Sequence, residues 1–233
     1  MCAKKSADTH LEFLESSEGL ANQLDKAQNF FQSNNKLLLI IGGALLAGIL
    51  GLVGYRYYQD GREADGQKAL YKAVYDFESD SLDLALKGKG GNEGLLSIAD
   101  NYKGTDAGNL ASFYAGTALL KQGQLDEAIQ RLKSFSSSDI LLQARAYALI
   151  GDAYMEKNEA GQAIDYYKRA ADYKANQFFT PGYLLKLGLA YEKDNKPKDA
   201  ASAYKRIIDD FPMSSEVMNA KKYLGVVEGQ VGE

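Results

Sequence analysis

A nucleophile paired with a base, or a cluster of metal ligands, draws on cysteine, histidine and close carboxylates. This chain has one histidine, His10, and one cysteine, Cys2. Both precede a long apolar stretch, so the polar sequence beyond it can assemble neither a Cys–His pair nor a usual zinc cluster. Carboxylates are plentiful, but they fall where solvated helix faces put them. Asp126 and Glu127 occupy the first turn of a helical pattern, where negative charge is favourable. Asp209 and Asp210 end another, a mildly unfavourable place that fits a solvated surface or contact with a partner. The run GKGGNEG (88–94) holds glycines and a lysine, but a phosphate loop needs GKS or GKT opening a helix behind a strand. Acids and bases interleave to a formal charge of −4, and no basic stripe for nucleic acid is present. We expect no enzyme, no cofactor, no metal, no nucleic acid and no small-molecule substrate.

The elements that would position any site begin with the apolar stretch. Residues 37–54 contain nothing more polar than glycine. As a helix they reach about 27 Å, close to the hydrocarbon thickness of a bilayer. The run starts too late for a signal peptide and ends in YRYY, an aromatic and basic girdle rather than a cleavage site. We therefore expect a retained transmembrane helix over 36–58, behind a tail over 1–35. Its small residues Gly43, Ala47 and Gly51, with Ala44 and Gly48 on an adjoining line, would let a second membrane helix approach closely. Charges near the span lean toward placing the large domain in the cytoplasm: Lys26 and Lys36 precede it, whereas Arg56, Arg62, Lys68 and Lys72 follow.

Beyond the span the chain repeats itself. YAGTALLKQGQLDEAIQRL (114–132), LIGDAYMEKNEAGQAIDYY (149–167) and KLGLAYEKDNKPKDAASAY (186–204) share one pattern. Gly116, Gly151 and Gly188 lie 35 and 37 apart; an alanine follows each by twelve, at Ala128, Ala163 and Ala200, and a large residue four later, at Leu132, Tyr167 and Tyr204. This spacing predicts helix, turn, helix, with the glycine and the alanine facing each other where the axes cross. Gly123, Asn158 and Asn195 with Pro197 supply the turns.

These segments resemble the tetratricopeptide repeat (TPR), with copies over 109–140, 144–175 and 181–212. We expect an all-α chain: a transmembrane helix, then a TPR-like α-solenoid of about four helical hairpins plus a C-terminal capping helix, with no sheet. Residues 59–108 read as a degenerate first repeat with helices over 64–77 and 95–102. Residues 109–213 read as three repeats and 214–233 as the cap and tail. The glycine-rich run LALKGKGGNEG reads as a mobile loop. Tyr147 and Tyr183, in first helices of their pairs, are the candidate partner-binding residues, since aromatic rings with polar tips suit peptide contact. Tyr154 and Tyr191 sit at the core position beside the glycine.

The order FFQSNNK, a Gly/Ala/Leu span, GYRYY (54–58) and ALYKAV also resembles the membrane-anchored ancillary TPR subunit of the bacterial Sec translocon. That resemblance implies a cytoplasmic tail and a periplasmic domain in the inner membrane, against the charge count. It also implies Sec translocon subunits, envelope chaperones or nascent secreted chains as partners, in a chaperone-like or adaptor role. A generic scaffold of envelope assembly or cell division has the same architecture. An envelope hydrolase would instead need two acids converging from different repeats, one with a raised pKa.

Overall fold

The computed structural model describes residues 17–231, and the chain divides into one unit ending at Gln59 and another beginning at Asp60. Cys2 and His10 lie outside the described residues. In the first unit, helix α1 (Ser17–Ser33) stops where side chains compete for its carbonyls. Ser33 Oγ donates to the Asn29 carbonyl at 2.7 Å and Asn34 Nδ2 to that of Phe30 at 3.0 Å. Helix α2 (Asn35–Glu78) follows and runs on past the division between the units. Apart from Leu38, the Leu, Ile and Val side chains of residues 37–53 stand exposed. None of the helix's most apolar window is buried, and the helix is long and apolar enough to cross a membrane.

In the second unit, α2 buries Gly66, Leu70, Ala73 and Asp76, a three-and-four spacing that aims one face inward. The residues expected as a separate helix over 64–77 are thus the last part of a longer one. The expected second helix of this repeat is preceded by a further short one: α3 (Leu82–Lys87), then α4 (Leu95–Asn101). The run between them is not a plain loop. It forms an antiparallel ribbon, β1 (Gly88–Lys89) on β2 (Asn92–Glu93), so the expectation of no sheet is corrected. The cause is Gly90 and Gly91, whose positive φ angles of 63° and 87° make the tight hairpin turn that suits strand twist.

The rest is helical hairpins: α5 (Asp106–Lys121) with α6 (Leu125–Ser134), α7 (Ile140–Glu156) with α8 (Ala160–Asp172), and α9 (Thr180–Lys193) with α10 (Pro197–Asp210). Each helix packs on its successor, and α11 (Val217–Val231) packs on α10. One core runs from Leu70 to Val227. Thr105 and Asp139 cap α5 and α7 through their side chains. Gly123, Asn158 and Asn195 turn the chain with φ of 74°, 61° and 55°.

The crossing inside each hairpin differs from the expected glycine–alanine meeting. A methyl group added to Gly116 would lie 2.6 Å from Leu132 Cγ; at Gly151 it would lie 2.6 Å from Tyr167 Cε1, and at Gly188 2.2 Å from Tyr204 Cε1. The glycine makes room for the large residue, not chiefly for the alanine. Ala128, Ala163 and Ala200 are fully buried, one turn before that large residue.

Helix α11 is in register with α9. Thr180 and Gly188 map onto Val217 and Gly225, each 37 residues on. The positions that α9 fills with Leu184 and Tyr191, both buried, are Lys221 and Glu228 in α11, both exposed. Nothing comes within 4 Å of a methyl group added at Gly225. This half-repeat thus carries charged residues where α9 has core residues, while Met218 and Val226 of α11 stay exposed.

Candidate functional site

Tyr147 and Tyr183 do not join one cluster. Tyr147, on α7, is half-buried and meets Tyr173 edge-on, with ring centroids 6.2 Å apart. Tyr173 in turn donates to the Ser137 carbonyl at 3.0 Å. Tyr183, on α9, packs against the core, and burial pushes its hydroxyl pKa up, with Arg145 opposing. Tyr154 and Tyr191 are core residues, each with a lysine of the preceding hairpin over its ring. Lys133 Nζ lies 5.4 Å from the Tyr154 centroid, and Lys168 Nζ lies 5.5 Å from that of Tyr191. The next member of this series is an ion pair, Lys205 to Glu228 of α11 at 2.7 Å. The series is thus an inter-repeat clasp rather than a ligand-facing row.

A second clasp ties three helices together. Asp152 of α7 accepts from Tyr167 of α8 at 2.6 Å and from Lys186 of α9 at 2.6 and 2.7 Å. Burial, then the Asp152 charge, pushes the Tyr167 hydroxyl far above its ordinary range. Tyr204 donates to Glu192 in the same manner. These carboxylates are occupied as structural acceptors. Two others, Asp83 and Asp100, are shifted downward, first by hydrogen bonds from Lys87 and Arg131. A hydrolytic acid would need the opposite shift. Among the described residues no three metal-ligating side chains come together.

An exposed aromatic face on α2 and α5 escaped the sequence reading. Tyr71 and Tyr75 are 78% and 60% exposed. With Val74, Leu110 and Tyr114 they border a cavity of about 370 Å³. Phe77 holds Tyr114 edge-on at 5.3 Å. The signal was present in ALYKAVYDF: two tyrosines four apart share a helix face, and neither lies at a core position. In the first unit, Gly43, Ala47 and Gly51 are exposed, and methyl groups added at Gly43 and Gly51 meet nothing within 4 Å.

The comparison that decides the family is a match to the tetratricopeptide repeat-like domain over residues 28–223. The chain belongs to that family. TPR-like domains bind proteins and are not catalytic, so the chain is a protein-interaction module and not an enzyme. Several solved structures share its fold, among them two of MamA. One, titled "Crystal structure of MamA", has a TM-score of 0.55 at 22% identity, over 69% of this chain and 84% of that one. The other, "Crystal structure of MamA protein", has 0.55 at 21%, over 72% and 82%. No curated protein sequence matches the chain. The expected likeness to the Sec translocon's ancillary subunit is therefore corrected: these two similar structures are of MamA, not of a translocon subunit. FFQSNNK closes α1 and opens α2, GYRYY and ALYKAV lie along α2, and such residues do not specify a partner.

Proposed function

We propose that this TPR-like chain is a membrane-anchored scaffold that gathers partner proteins during envelope assembly. The observation that carries this reading is the wholly unburied apolar helix continuous with a repeat unit. Seven Leu and four Ile or Val lie between residues 37 and 54. At about 2 kcal/mol each, leaving them in water costs roughly 20 kcal/mol, which a bilayer removes. The anchor confines the repeats beside the membrane, so modest affinities suffice. In this reading residues 1–35 are cytoplasmic and the repeat unit is periplasmic. No cysteine follows Cys2, so nothing in the repeats depends on the redox state of that compartment.

The Tyr71, Tyr75, Leu110 and Tyr114 face is the main partner surface, because it combines exposed rings with a concave apolar border. Tyr147 and Tyr183 are further candidate contacts for a partner, and Gly43, Ala47 and Gly51 offer a packing line to another membrane helix. The test is photocrosslinking in intact cells from residues 71, 75, 147 and 183 and from 43, 47 and 51. The reading expects a discrete trapped envelope protein from position 71 or 75. Smears or nothing from every position would defeat it. Protease access in sealed cells against spheroplasts tests the orientation, and a repeat unit protected in both would reverse it.

A further inference from the structure

The turns that join one repeat to the next are linked into a single edge. Arg62 donates to the carbonyls of Asn101 at 2.5 Å and Lys103 at 3.2 Å, in the first turn. Asn109, just after that turn, brackets Ser136 of the second: its Nδ2 donates to the carbonyl at 2.8 Å, and its Oδ1 accepts from the amide at 3.1 Å. Tyr173 and Lys174, opening the third, donate back to the Ser137 and Ser138 carbonyls at 3.0 and 2.6 Å. The third and fourth turns then share a cavity of about 400 Å³ lined by Phe178, Phe211, Pro212 and Met213.

Polarity changes sharply along this edge. The first turn reads Lys-Gly-Thr and the second Ser-Ser-Ser-Asp, whereas the third carries Phe178 and Phe179 and the fourth Pro212 and Met213. Phe178 is 86% exposed and Met213 95%. No packing within the repeats explains them, since they stand away from the core that the helices close. The charges nearby are acidic on balance: Arg206 pairs with both Asp172 and Asp210, Lys174 donates to the Ser138 carbonyl, and Asp209 and Glu216 add to the carboxylates.

The same edge receives the chain from the apolar stretch. Arg62 is eight residues beyond Gly54, and eight residues at about 3.6 Å each span no more than about 29 Å. Apolar side chains on a loop edge with no excess of basic residues, tethered this closely to an apolar helix, are suited to entering lipid through burial of area rather than through charge. We propose that Phe178 and Met213 insert into the surface of the bilayer that holds residues 37–54, giving the repeat unit a second membrane contact. The proposal rests on the reading of that stretch as a span.

The chain has no tryptophan, so one introduced indole reports one place. Full-length Phe178→Trp, Met213→Trp, Tyr57→Trp and Gln124→Trp proteins are reconstituted in phosphatidylcholine vesicles with brominated acyl chains. The expected result is loss of emission at 178, 213 and 57 but not at 124, which lies in a turn within a repeat, and no relief of the loss by added salt. Quenching at 57 without quenching at both 178 and 213 overturns the proposal and leaves the span standing. No quenching at 57 overturns the span reading, and the proposal with it. Equal quenching at 124, or quenching that salt abolishes, also overturns it, the first as non-specific adsorption and the second as attraction by charge.

Discussion

The two units use glycine in opposite ways. In residues 37–54 the glycines look onto empty space, with nothing within 4 Å of an added methyl group at Gly42, Gly43, Gly48, Gly51 or Gly54. In the repeats, Gly116, Gly151 and Gly188 are already occupied by Leu132, Tyr167 and Tyr204. One set records packing that has been completed inside the chain. The other leaves a helix surface that only another molecule, lipid or protein, can cover. A small residue at regular spacing therefore means close approach in both places, but its partner is internal in one and external in the other.

The largest effect should come from removing a large residue that fills a glycine notch. Tyr204 is fully buried, and Tyr204→Ala should cost about 4 kcal/mol in urea unfolding, in the range for deleting a buried ring. Gly188→Ala should cost about 1–2 kcal/mol. Forcing the Tyr204 ring aside costs about 1–3 kcal/mol, and the better helix propensity of alanine returns up to about 1 kcal/mol. With Tyr204→Ala already present, Gly188→Ala should turn neutral or stabilising, a coupling that a double-mutant cycle measures. Additive losses would show that ring and glycine do not share a notch. Gly51→Ala provides the contrast: it should leave the melting of the repeats unchanged, and a loss like that of Gly188→Ala would erase the distinction between the units.

Helix α11 tests the comparison from the other side, because Gly225 is a repeat glycine with an empty notch. Lys221→Leu with Glu228→Tyr restores the residues that α9 carries at those positions. The stack should then end in an apolar face, and the protein should associate in a concentration-dependent way by sedimentation. A protein that stays monomeric would mean that the charged pair is not what closes the stack.

How much of this was legible beforehand follows the same division. The notches were readable because Gly116, Gly151 and Gly188 recur with their large residues at fixed spacing, a signal three copies deep. That the large residue and not the alanine fills the notch was not readable, since periodicity fixes a helix face but not which of two residues one turn apart projects across it. The ribbon at 88–93 was missed because a single hairpin of two-residue strands has no hydrophobic alternation to detect. Its paired glycines suggested mobility when their positive φ in fact closes a turn. Tyr71 and Tyr75 were overlooked because the degenerate first repeat lacks the glycine that anchors the register elsewhere. The partner could not be read at all: residues that make a helix cross lipid carry no record of what it meets there.

The smallest effect concerns charge rather than shape. Arg131 grips Asp100 across the first repeat boundary, with Nη1–Oδ1 at 2.5 Å and Nη2–Oδ2 at 3.0 Å. This hydrogen bond holds the Asp100 carboxyl below the ordinary carboxylate range. A group whose pKa is depressed on folding adds stability above its unfolded pKa, near 3.9, and loses it as pH falls through the folded value. Asp100 remains 63% exposed, so solvent screening limits the pair to less than about 1 kcal/mol. Arg131→Gln should therefore be slightly less stable than the parent at pH 7, and the gap should close in acid below about pH 4. If it persists there unchanged, the arginine supports the repeat boundary through its aliphatic stem, and the boundary, like the notches, is held by packing.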